Sequence, residues 1–489
     1  MNQQLNMVDA TFLYVETKNS PTHLAGLQIL EVPVDRRNTF FKEMQRHVAE
    51  RAPMVDFMTR RLVASALDLD HPHWETVDRL DIEHHVRRAV LPKPGSVTQL
   101  EELVARLHAQ PLDRSKPLWQ YYLIEGVEGN KVAWYTKMHH ACIDGMAGQL
   151  LLDVFGNSTP DDSPIGPKVA DVAAPGLLER WARAIADSAL QPLDNLLMLG
   201  EGLRSFERLA RRAVAGKSFG AYAQRAPRTR FNRAIGSART FTIGTLSLAE
   251  AKAVGAAHGC KVNDVFLAVC AGGLRKYLAD VGELPAEPLL AGVPVSLREL
   301  GDKSMSNQVT MLLTSLETQQ ADALARLLAI RDSTRVGKAI VAATSRLMPQ
   351  DVHALGLPFA MRSGMASMEA RRLADTIAMP INVVISNVPG PRREVFIHGA
   401  RMLTHHPVSV PAHGMAVNIT VQSYQDRLDF GITACKAALA DGDKLRADML
   451  WAWQELKACS RTSCAIDGRV RDVDTTQSES DTSSLRSAA

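Results

Sequence analysis

The segment with the clearest capacity for chemistry is His139-His140-Ala141-Cys142-Ile143-Asp144-Gly145. A free histidine has a pKa of about 6.5, so it can take up a proton near neutral pH and return it later. Removing the proton from an alcohol that attacks a thioester requires such a base. The carboxylate of Asp144 can fix the surroundings of an imidazole or pair with an arginine, and Gly145 lets the backbone turn tightly. The pattern therefore predicts proton transfer by a histidine of this pair.

Three other interpretations of the segment stay open at this point. A pair of histidines can be purely structural or lie exposed on the surface. Two histidines and Asp144 could ligate a metal ion, but adjacent histidines at the end of a strand point to opposite faces and cannot easily reach one ion. Cys142 could be a thiol nucleophile with His140 as its base, although two residues apart on a turn is poor geometry for that pair. We expect neither a metal site nor a cysteine nucleophile.

The residues around the histidines predict how they are held. Residues 121–127 and 131–138 are rich in β-branched and aromatic side chains and are separated by Glu128-Gly129-Asn130, which predicts a β-hairpin. Residues 148–155 then follow a helical pattern. The histidines thus fall where a strand gives way to a loop and a helix, a place that displays side chains into a cleft.

Length and composition narrow the class of protein. At 489 residues the chain exceeds one comfortable hydrophobic core, so two domains are expected. Its 46% of hydrophobic and 22% of charged residues are ordinary for a soluble globular protein. The formal charge of +3 is too small to indicate nucleic acid as a partner. The six cysteines form no C-x-x-C pair, which argues against a zinc site and a disulfide framework.

The location of the protein follows from two sequence features. The polar residues 1–6 lack the basic and then apolar layout of a signal peptide. No apolar stretch reaches the roughly 20 residues that are needed to cross a bilayer. We therefore expect a cytoplasmic protein that touches a membrane without spanning it.

Composition and hydrophobic spacing divide the chain into four segments. We predict a first lobe at 1–168, a helical crossover at 169–238, a second lobe at 239–460 and a disordered polar tail at 461–489. Cations outnumber acids in the crossover. A helix that packs on both lobes fits this pattern, and so does a helix that also rests on anionic lipid through Arg204, Arg208, Arg211 and Arg212.

The second lobe alternates helical patterns with apolar runs that are typical of strands. Helices are predicted at 248–258, 264–277 and 443–457, and strands at 289–295, 383–386, 417–421 and 428–433.

The histidine segment resembles the acyltransfer signature shared by chloramphenicol acetyltransferase, carnitine acyltransferases and condensation domains. More narrowly, the chain is similar to the bacterial wax ester synthase/acyl-CoA:diacylglycerol acyltransferase family over about Met7 to Ala458. The blocks that carry this similarity, in chain order, are Met7 to Phe12, His71 to Trp74, Pro111 to Trp119, Asn263-Asp264, Pro294 to Arg298 followed by Asn307-Gln308, and Asn387 to Pro391. Taken in order, these motifs are far more specific than any one of them alone.

The resemblance implies an α/β fold with two similar chloramphenicol acetyltransferase-like lobes. Each lobe would have a mixed sheet flanked by helices, with a helical crossover between the lobes and the active site in a tunnel between them. By the same analogy His140 is the general base and His139 supports it. Asp144 and Gly145 are structural at the active site, and Arg298 is a candidate partner of Asp144.

The resemblance also implies roles for residues of the second lobe. Asn263 resembles the family's polar contact near the reacting carbonyl, where an amide N–H can stabilise an oxyanion. A helix N-cap ahead of Val265 is the alternative for Asn263. Pro389-Gly390-Pro391 has no ionisable group and is expected to shape the tunnel or the domain contact. We interpret the remaining histidines of this lobe, His405, His406 and His413, as structural.

The implied reaction is direct transfer of a fatty acyl group from acyl-CoA to diacylglycerol or a long-chain fatty alcohol. It needs no metal, no further cofactor and no covalent acyl-enzyme, and the protein is expected to associate peripherally with the inner membrane or lipid inclusions. Two alternatives stay open: a non-catalytic lipid-binding protein of the same fold, and a condensation-type acyltransferase that uses a carrier-protein thioester.

Overall fold

The computed structural model describes residues 4–65, 70–143, 147–160, 225–296, 309–344 and 357–462. The α-helices in these ranges are α1 (Met7–Tyr14), α2 (Phe40–Arg51), α3 (Ile82–His85), α4 (Val97–Ala109), α5 (Ala147–Phe155), α6 (Leu248–Ala257), α7 (Val262–Asp280), α8 (Ala323–Thr344), α9 (Leu357–Ala370) and α10 (442–462). The strands are β1 (His23–Glu31), β2 (Arg60–Val63), β3 (His73–Thr76), β4 (Val86–Val90), β5 (Trp119–Val127), β6 (Lys131–His139), β7 (Gly156–Asn157), β8 (Arg239–Ser247), β9 (Leu290–Ser296), β10 (Val309–Ser315), β11 (Val383–Val388), β12 (Phe396–Ile397), β13 (Ala400–Val408), β14 (Val417–Tyr424) and β15 (Arg427–Cys435).

The first large sheet contains the strand that ends at the histidines. Its strands lie in the order β4-β5-β6-β1-β13-β12-β7. β4 and β5 are parallel, whereas the other neighbouring strands are antiparallel. Because β6 has β5 on one side and β1 on the other, backbone hydrogen bonds hold its end from both sides.

The predicted hairpin is confirmed as β5 and β6. These strands pair antiparallel, with Trp119 opposite Met138 and Leu123 opposite Trp134. At the turn the φ angles of Gly129 and Asn130 are 76° and 56°, in the left-handed region that glycine and asparagine tolerate best. The turn residues therefore account for the position at which the chain reverses.

The second large sheet has the order β10-β9-β11-β14-β15-β8, with β11 parallel to both of its neighbours. All four strands predicted in this lobe are present. α7 places Leu267, Val269 and Leu274 in the same buried core as Ile385 and Ile419 of the sheet. The prediction of an α/β protein with two lobes, each a mixed sheet flanked by helices, is confirmed.

One strand from the second half of the chain belongs to the first sheet and joins the two lobes. β13 comes late in the chain, yet it pairs with β1 in the first sheet, with Leu27 opposite His406. Its other side contacts the second sheet, where the backbone N–H of His405 donates to the Asp429 carboxylate at 3.0 Å. The predicted segment 239–460 therefore contributes strands to both sheets.

The described ends of two predicted segments differ from expectation. Residues 225–238, the last part of the predicted helical crossover, contain neither helix nor strand. There the Asn232 side-chain amide donates to the backbone oxygens of Ile381 and Gly414 and accepts from Asn382, which holds this stretch in an irregular path. At the other end α10 extends to residue 462, into the predicted tail. Residues 169–224 and 463–489 lie outside the described ranges.

Among the helices of the described ranges, none combines the length and the apolar character needed to cross a lipid bilayer.

A buried carboxylate ties α4 of the first lobe to the second lobe. Glu101 accepts hydrogen bonds from the backbone N–H of Ile243 in β8 at 2.8 Å and from Arg446 in α10 at 3.0 Å. Burial raises the pKa of Glu101 to about 7, although the Ile243 N–H and the Arg446 charge act in the opposite direction. The charge of this interlobe contact therefore changes near neutral pH.

Glu101→Gln tests this contact through the pH dependence of stability. The pKa of about 7 in the folded protein lies above the ordinary value of 4.5, so the folded state binds this proton more tightly than the unfolded chain does. The free energy of unfolding of the wild type should therefore fall as the pH rises from 4.5 to about 7. Glutamine keeps an acceptor for the Ile243 N–H but does not ionise. We expect the variant to gain stability relative to the wild type between pH 5 and pH 8, by roughly 1–3 kcal/mol.

Thermal unfolding of both proteins at the two pH values measures this difference. Glu102→Gln, at an exposed position of the same helix, is the control. If the stability difference between Glu101→Gln and the wild type were the same at both pH values, the raised pKa of Glu101 would be contradicted.

Candidate active site

The backbone at the end of β6 fixes both histidines of the predicted motif. His139 lies opposite His23 in the register of β1 and β6, and its N–H donates to the Leu118 carbonyl oxygen at 2.9 Å. The N–H of His140 donates to the Thr22 carbonyl oxygen, also at 2.9 Å. The two residues therefore lie between the segments that precede β1 and β5.

The surroundings of His139 determine which ring nitrogen carries its proton. The ring is 1% exposed, and its Nδ1 accepts a hydrogen bond from the Ala141 N–H at 3.0 Å. In the neutral ring the proton must then be on Nε2. That atom lies 3.1 Å from Thr22 Oγ1 and 3.5 Å from Glu16 Oε1, two acceptors for its N–H. His139 is thus held in one tautomer and one orientation.

Thr22 connects both histidines to the first helix. Its hydroxyl donates to the Phe12 carbonyl oxygen at 2.6 Å, so the same oxygen is left to accept from His139. Its N–H donates to Glu16 at 3.1 Å, and its carbonyl oxygen accepts from His140. All three polar groups of this buried residue are therefore used within the site.

The carboxylate of Glu16 supplies the negative charge next to His139. Arg114, from the block that precedes β5, donates to Glu16 Oε2 at 3.1 Å and to the Leu13 carbonyl oxygen at 3.2 Å. Burial raises the pKa of Glu16, but the hydrogen bonds and charges of His139 and Arg114 outweigh burial and bring it to about 2. Glu16 is therefore ionised at every pH at which the protein would work.

His140 has a different environment from His139. It is half-buried, and its ring stacks on Phe12 with the ring centroids 3.8 Å apart and the planes within 6°. Phe12 belongs to α1, and Thr22 holds its carbonyl oxygen. The stack fixes the plane of the imidazole of this half-buried residue.

A buried lysine anchors the strand that carries the histidines. Lys137 lies on the same face of β6 as His139, since residues two apart in a strand share a face. Its fully buried Nζ donates to the carbonyl oxygens of Leu107 and Gln110 at the end of α4, at 2.9 Å each. Burial and then the charge of Arg87 lower the pKa of Lys137 to about 7. The lysine therefore ties α4 to the end of β6.

Cys142 is placed unfavourably for a nucleophile. Its side chain is buried, and its N–H donates to the His139 carbonyl oxygen at 3.0 Å. Burial and the nearby charge of Asp9 raise the pKa of the thiol well above its ordinary value. The thiolate is thus disfavoured, which supports the expectation that Cys142 is not the nucleophile.

Asn263 lies at the start of α7 in the second lobe. The N-cap of this helix is Lys261, so the alternative of Asn263 as the N-cap is wrong. Asp264 instead accepts from the Lys261 N–H at 2.8 Å, which satisfies the backbone at the helix start. The Asn263 side-chain oxygen accepts from Asn387 at 3.4 Å, so two of the sequence blocks meet here. The role of Asn263 near a reacting carbonyl stays a prediction.

The block Pro389-Gly390-Pro391 brings the end of β11 against β14. A Cβ on Gly390 would overlap the carbonyl oxygen of Ser423, and the Gly390 N–H donates to Ser423 Oγ at 2.9 Å. Farther along, Arg393 pairs at 2.8 Å with Asp153 of α5, the helix that follows the histidine motif. The block therefore fixes the end of β11 on β14. Its expected role in the tunnel or the domain contact stays a prediction.

The other histidines of the second lobe have structural contacts. His405 Nε2 lies 3.0 Å from the Gln28 side-chain amide, and His406 Nδ1 lies 3.3 Å from the Phe430 carbonyl oxygen. His413 accepts from the Ile235 N–H at 3.2 Å. All three are buried, which supports the structural interpretation.

Several predicted features lie outside the described residues. They are Asp144, Gly145, Arg298 and the pair Asn307-Gln308. In the part of the chain that is described, no cluster of three or more His, Cys, Asp or Glu side chains is arranged to hold a metal ion. A cavity of about 430 Å³ lies between the β2–β3 hairpin and Lys116-Pro117, and the histidine pair does not line it. The tunnel between the lobes stays a prediction.

Sequence reasoning missed Glu16 and Thr22 and assigned no role to Phe12 or Arg114. Phe12 and Arg114 lie within the sequence blocks that carry the family resemblance, so their position in these blocks could have indicated a role in the site. Glu16 and Thr22 lie in a segment that has no recognisable motif.

Comparison with known proteins shows the family of the chain. Residues 5–266 match the model of the wax ester synthase/diacylglycerol acyltransferase catalytic domain, and residues 305–457 match that of the WS/DGAT C-terminal domain. A putative diacylglycerol O-acyltransferase of Mycobacterium tuberculosis is 35% identical over 458 residues, which are 93% of this chain and 99% of the relative.

Two solved structures extend the comparison. The wax ester synthase/diacylglycerol acyltransferase of Marinobacter aquaeolei VT8 has a TM-score of 0.67 and 28% identity, covering 94% of this chain and 99% of that one. The starter condensation domain of rhizomide synthetase has a TM-score of 0.53 and 14% identity, covering 94% of each chain.

The fold is that of the Marinobacter acyltransferase, and the condensation domain shares it, so the structure first defines a class of two-lobe proteins. Within that class, the chain belongs to the wax ester synthase/diacylglycerol acyltransferase family. The family and the acyltransferase class predicted from the sequence blocks are confirmed.

Glu16→Gln tests the network around His139. The neutral amide neither attracts the Arg114 guanidinium nor favours the Nε2 proton of His139, so we expect kcat to fall roughly tenfold or more. The charged form of Glu16 should also stabilise the wild type above pH 4.5, and this contribution is lost as the pH falls towards 2. The variant should therefore be less stable at pH 7, with a weaker acid dependence.

Steady-state CoA release and thermal unfolding at pH 7 and pH 4 measure these effects. Glu43→Gln is the control, because Glu43 also pairs with an arginine, Arg36, in the first lobe. Unchanged kcat and stability in Glu16→Gln would show that the carboxylate does not support the histidines.

Cys142→Ser is expected to keep most of its activity, because the buried thiol is not a nucleophile and a serine of similar size fits its position. Turnover and intact-protein mass spectrometry during turnover are the measurements. Complete loss of activity in a folded variant, together with an acyl group trapped on Cys142 in the wild type, would instead establish a two-step mechanism.

Proposed function

We propose that the protein transfers a fatty acyl group from acyl-CoA to the hydroxyl of diacylglycerol or of a long-chain fatty alcohol. The observation that carries this proposal is the contrast between the two histidines. His139 is buried and fixed by Thr22 and Glu16, whereas His140 is stacked on Phe12 and partly accessible. This arrangement suits one supporting and one reacting imidazole.

In the proposed reaction His140 is the general base. It takes the proton of the acceptor hydroxyl as that oxygen attacks the thioester carbonyl carbon, which forms a tetrahedral oxyanion. The C–S bond then breaks, and the sulfur of CoA leaves with the proton held by His140. The products are an ester and the free CoA thiol. This proposed reaction needs no metal, no further cofactor and no acyl-enzyme.

The supporting roles follow the geometry of each group. His139 is proposed to keep the end of β6 in place through the hydrogen bonds of its ring, which fix a single tautomer. Asp144 and Gly145 are proposed to shape the loop that follows. An amide N–H of Asn263 is proposed to donate to the oxyanion. Two contacts support this placement: Asn263 meets Asn387 at the end of β11, and the segment after β11 pairs with α5 through Arg393.

Both substrates are proposed to reach His140 through a tunnel between the lobes, with cations at one mouth for the CoA phosphates. Diacylglycerol and fatty alcohols are nearly insoluble, so we propose peripheral attachment to the cytoplasmic face of the membrane or to lipid inclusions. Arg204, Arg208, Arg211 and Arg212 of the basic crossover lie outside the described residues. Each cation near an anionic surface would contribute about 1 kcal/mol, and salt would weaken this attraction.

Two assays separate this function from its alternatives. A non-catalytic lipid-binding protein would release no CoA thiol from palmitoyl-CoA in the presence of hexadecanol or diacylglycerol. A condensation-type enzyme would prefer an acyl-carrier thioester to acyl-CoA. Lipid analysis of the products with each acceptor decides between triacylglycerol and wax ester.

His140→Ala should reduce kcat by roughly 10²–10⁴-fold with the fold intact, because no base remains to take the hydroxyl proton. His139→Ala should have a milder effect. Free CoA is measured with a thiol reagent, and circular dichroism checks the fold. His84→Ala, a half-buried histidine of α3, is the control. Near-normal turnover in folded His140→Ala would remove His140 from the mechanism.

A further inference from the structure

The contact between Phe12 and His140 is close for two neutral rings. Their centroids lie 3.8 Å apart, with the planes within 6°. Because ring carbons in contact are about 3.5–4.0 Å apart, this centroid distance leaves little room for a lateral offset. Two neutral aromatic rings prefer an offset or an edge-to-face arrangement, with centroids about 4.5–7 Å apart. The face-to-face overlap at His140 therefore needs a further explanation.

Phe40 and Phe155 also face histidines, and both follow the arrangement expected of neutral rings. The rings of Phe40 and His398 have centroids 6.3 Å apart and planes tilted by 33°. The rings of Phe155 and His47 have centroids 6.4 Å apart and planes tilted by 54°. The overlap at His140 is thus not a general result of packing a phenylalanine against a histidine in this protein.

The backbone holds the two rings of the stack near each other. Thr22 Oγ1 donates to the Phe12 carbonyl oxygen at 2.6 Å, and the His140 N–H donates to the Thr22 carbonyl oxygen at 2.9 Å. Leu13 and Tyr14, the next residues of α1, are buried and anchor the helix in the core of the first lobe. One residue, Thr22, therefore fixes the distance between the two backbone segments that carry the rings.

A ring stacked in this way favours the charged form of histidine. The face of a phenylalanine ring carries the negative part of its quadrupole, which attracts a cation within about 6 Å of the ring centroid. The imidazolium of His140 would lie well inside this distance. The attraction exists only while the ring is protonated. In the proposed reaction this is the interval between uptake of the hydroxyl proton and its transfer to the sulfur of CoA.

Titratable side chains of the neighbouring elements also lie around this end of β6. They are Asp9 and Glu16 of α1, Arg114 of the loop before β5, and Lys137 and His139 of β6 itself. Asp144, in the segment that follows, lies outside the described residues. These charges stay the same when only the electron density of the ring at position 12 is changed. Such a change therefore isolates the effect of the stack.

We propose that Phe12 is a positioning residue that increases the basicity of His140, because its π face stabilises the imidazolium that forms when the acceptor hydroxyl loses its proton. The part that Phe12 plays in the reaction rests on His140 as the proposed base, whereas stabilisation of the charged ring does not.

Fluorination of the Phe12 ring in the full chain tests this proposal. Phe12→para-fluorophenylalanine weakens the negative π face and Phe12→pentafluorophenylalanine reverses it, while the shape of the ring changes little. Phe155→pentafluorophenylalanine is the matched control, because Phe155 also faces a histidine but is tilted and distant from it. Thermal unfolding confirms that each variant is folded.

Two measurements over the same pH range are compared. Diethyl pyrocarbonate reacts with neutral imidazole, so the pH dependence of His140 modification, assigned by mass spectrometry of peptide fragments, reports protonation of this ring without turnover. The pH dependence of kcat/KM for CoA release reports protonation of the base that the reaction uses.

Loss of the attraction makes the imidazolium less stable, so the midpoint of His140 modification should move to lower pH. We expect a change of roughly 0.5–1.5 pH units for Phe12→pentafluorophenylalanine, a smaller change for the para-fluoro variant and none for the Phe155 control. The acid limb of kcat/KM should move by the same amount. On the plateau kcat should fall roughly two- to tenfold, because the base is weaker.

The possible failures are distinguishable. Equal midpoints in the wild type and both Phe12 variants would overturn the proposal, since a ring that only fills space is insensitive to its quadrupole. An equal change in the Phe155 control would overturn it as well. A midpoint that moves while the acid limb of kcat/KM does not, or a wild type that releases no CoA, would refute His140 as the base but not the effect of the stack.

Discussion

The buried charge of Glu16 is the constraint on which the arrangement of the histidines depends. Placing a carboxylate in the protein interior is unfavourable unless charges and hydrogen bonds compensate it. Arg114, the Thr22 N–H and His139 provide that compensation, and they come from three separate segments. The end of α1, the turn before β1, the loop before β5 and the end of β6 are thereby held at one point. Since α1 also carries Phe12, the same constraint places the ring that stacks on His140.

The parts of this structure that depend on local pattern could be predicted from the sequence. Gly129-Asn130 between two β-branched runs was sufficient for the hairpin that ends at His139, because the turn needs residues that tolerate positive φ. Apolar spacing was sufficient for α5, α7 and the central strands of the second sheet. The ordered blocks from Met7 to Ala458 predicted the family, and the family implied the two-lobe fold.

The parts that depend on distant contacts could not be predicted. Nothing around Glu16 marks it as the partner of a histidine, because the pairing arises only when α1 folds against the loop that carries Arg114. The N-cap alternative for Asn263 failed because Asp264, one residue later, takes the Lys261 N–H; both residue types favour helix starts, and sequence does not separate the two registers. The pairing of β13 with β1 joins residues from opposite ends of the chain, so no local pattern predicts it.

The position of β13 also bears on how the protein is made. A ribosome releases β1 and β6 long before it has synthesised Ala400–Val408, so β1 emerges with one row of backbone N–H and C=O groups lacking its final partner. An open strand edge of this kind is a template for pairing with any other extended chain. Completion of the first sheet must wait until most of the polypeptide has been translated, and the nascent chain is exposed to aggregation throughout that interval. The histidine-bearing half is thus synthesised early but assembled late.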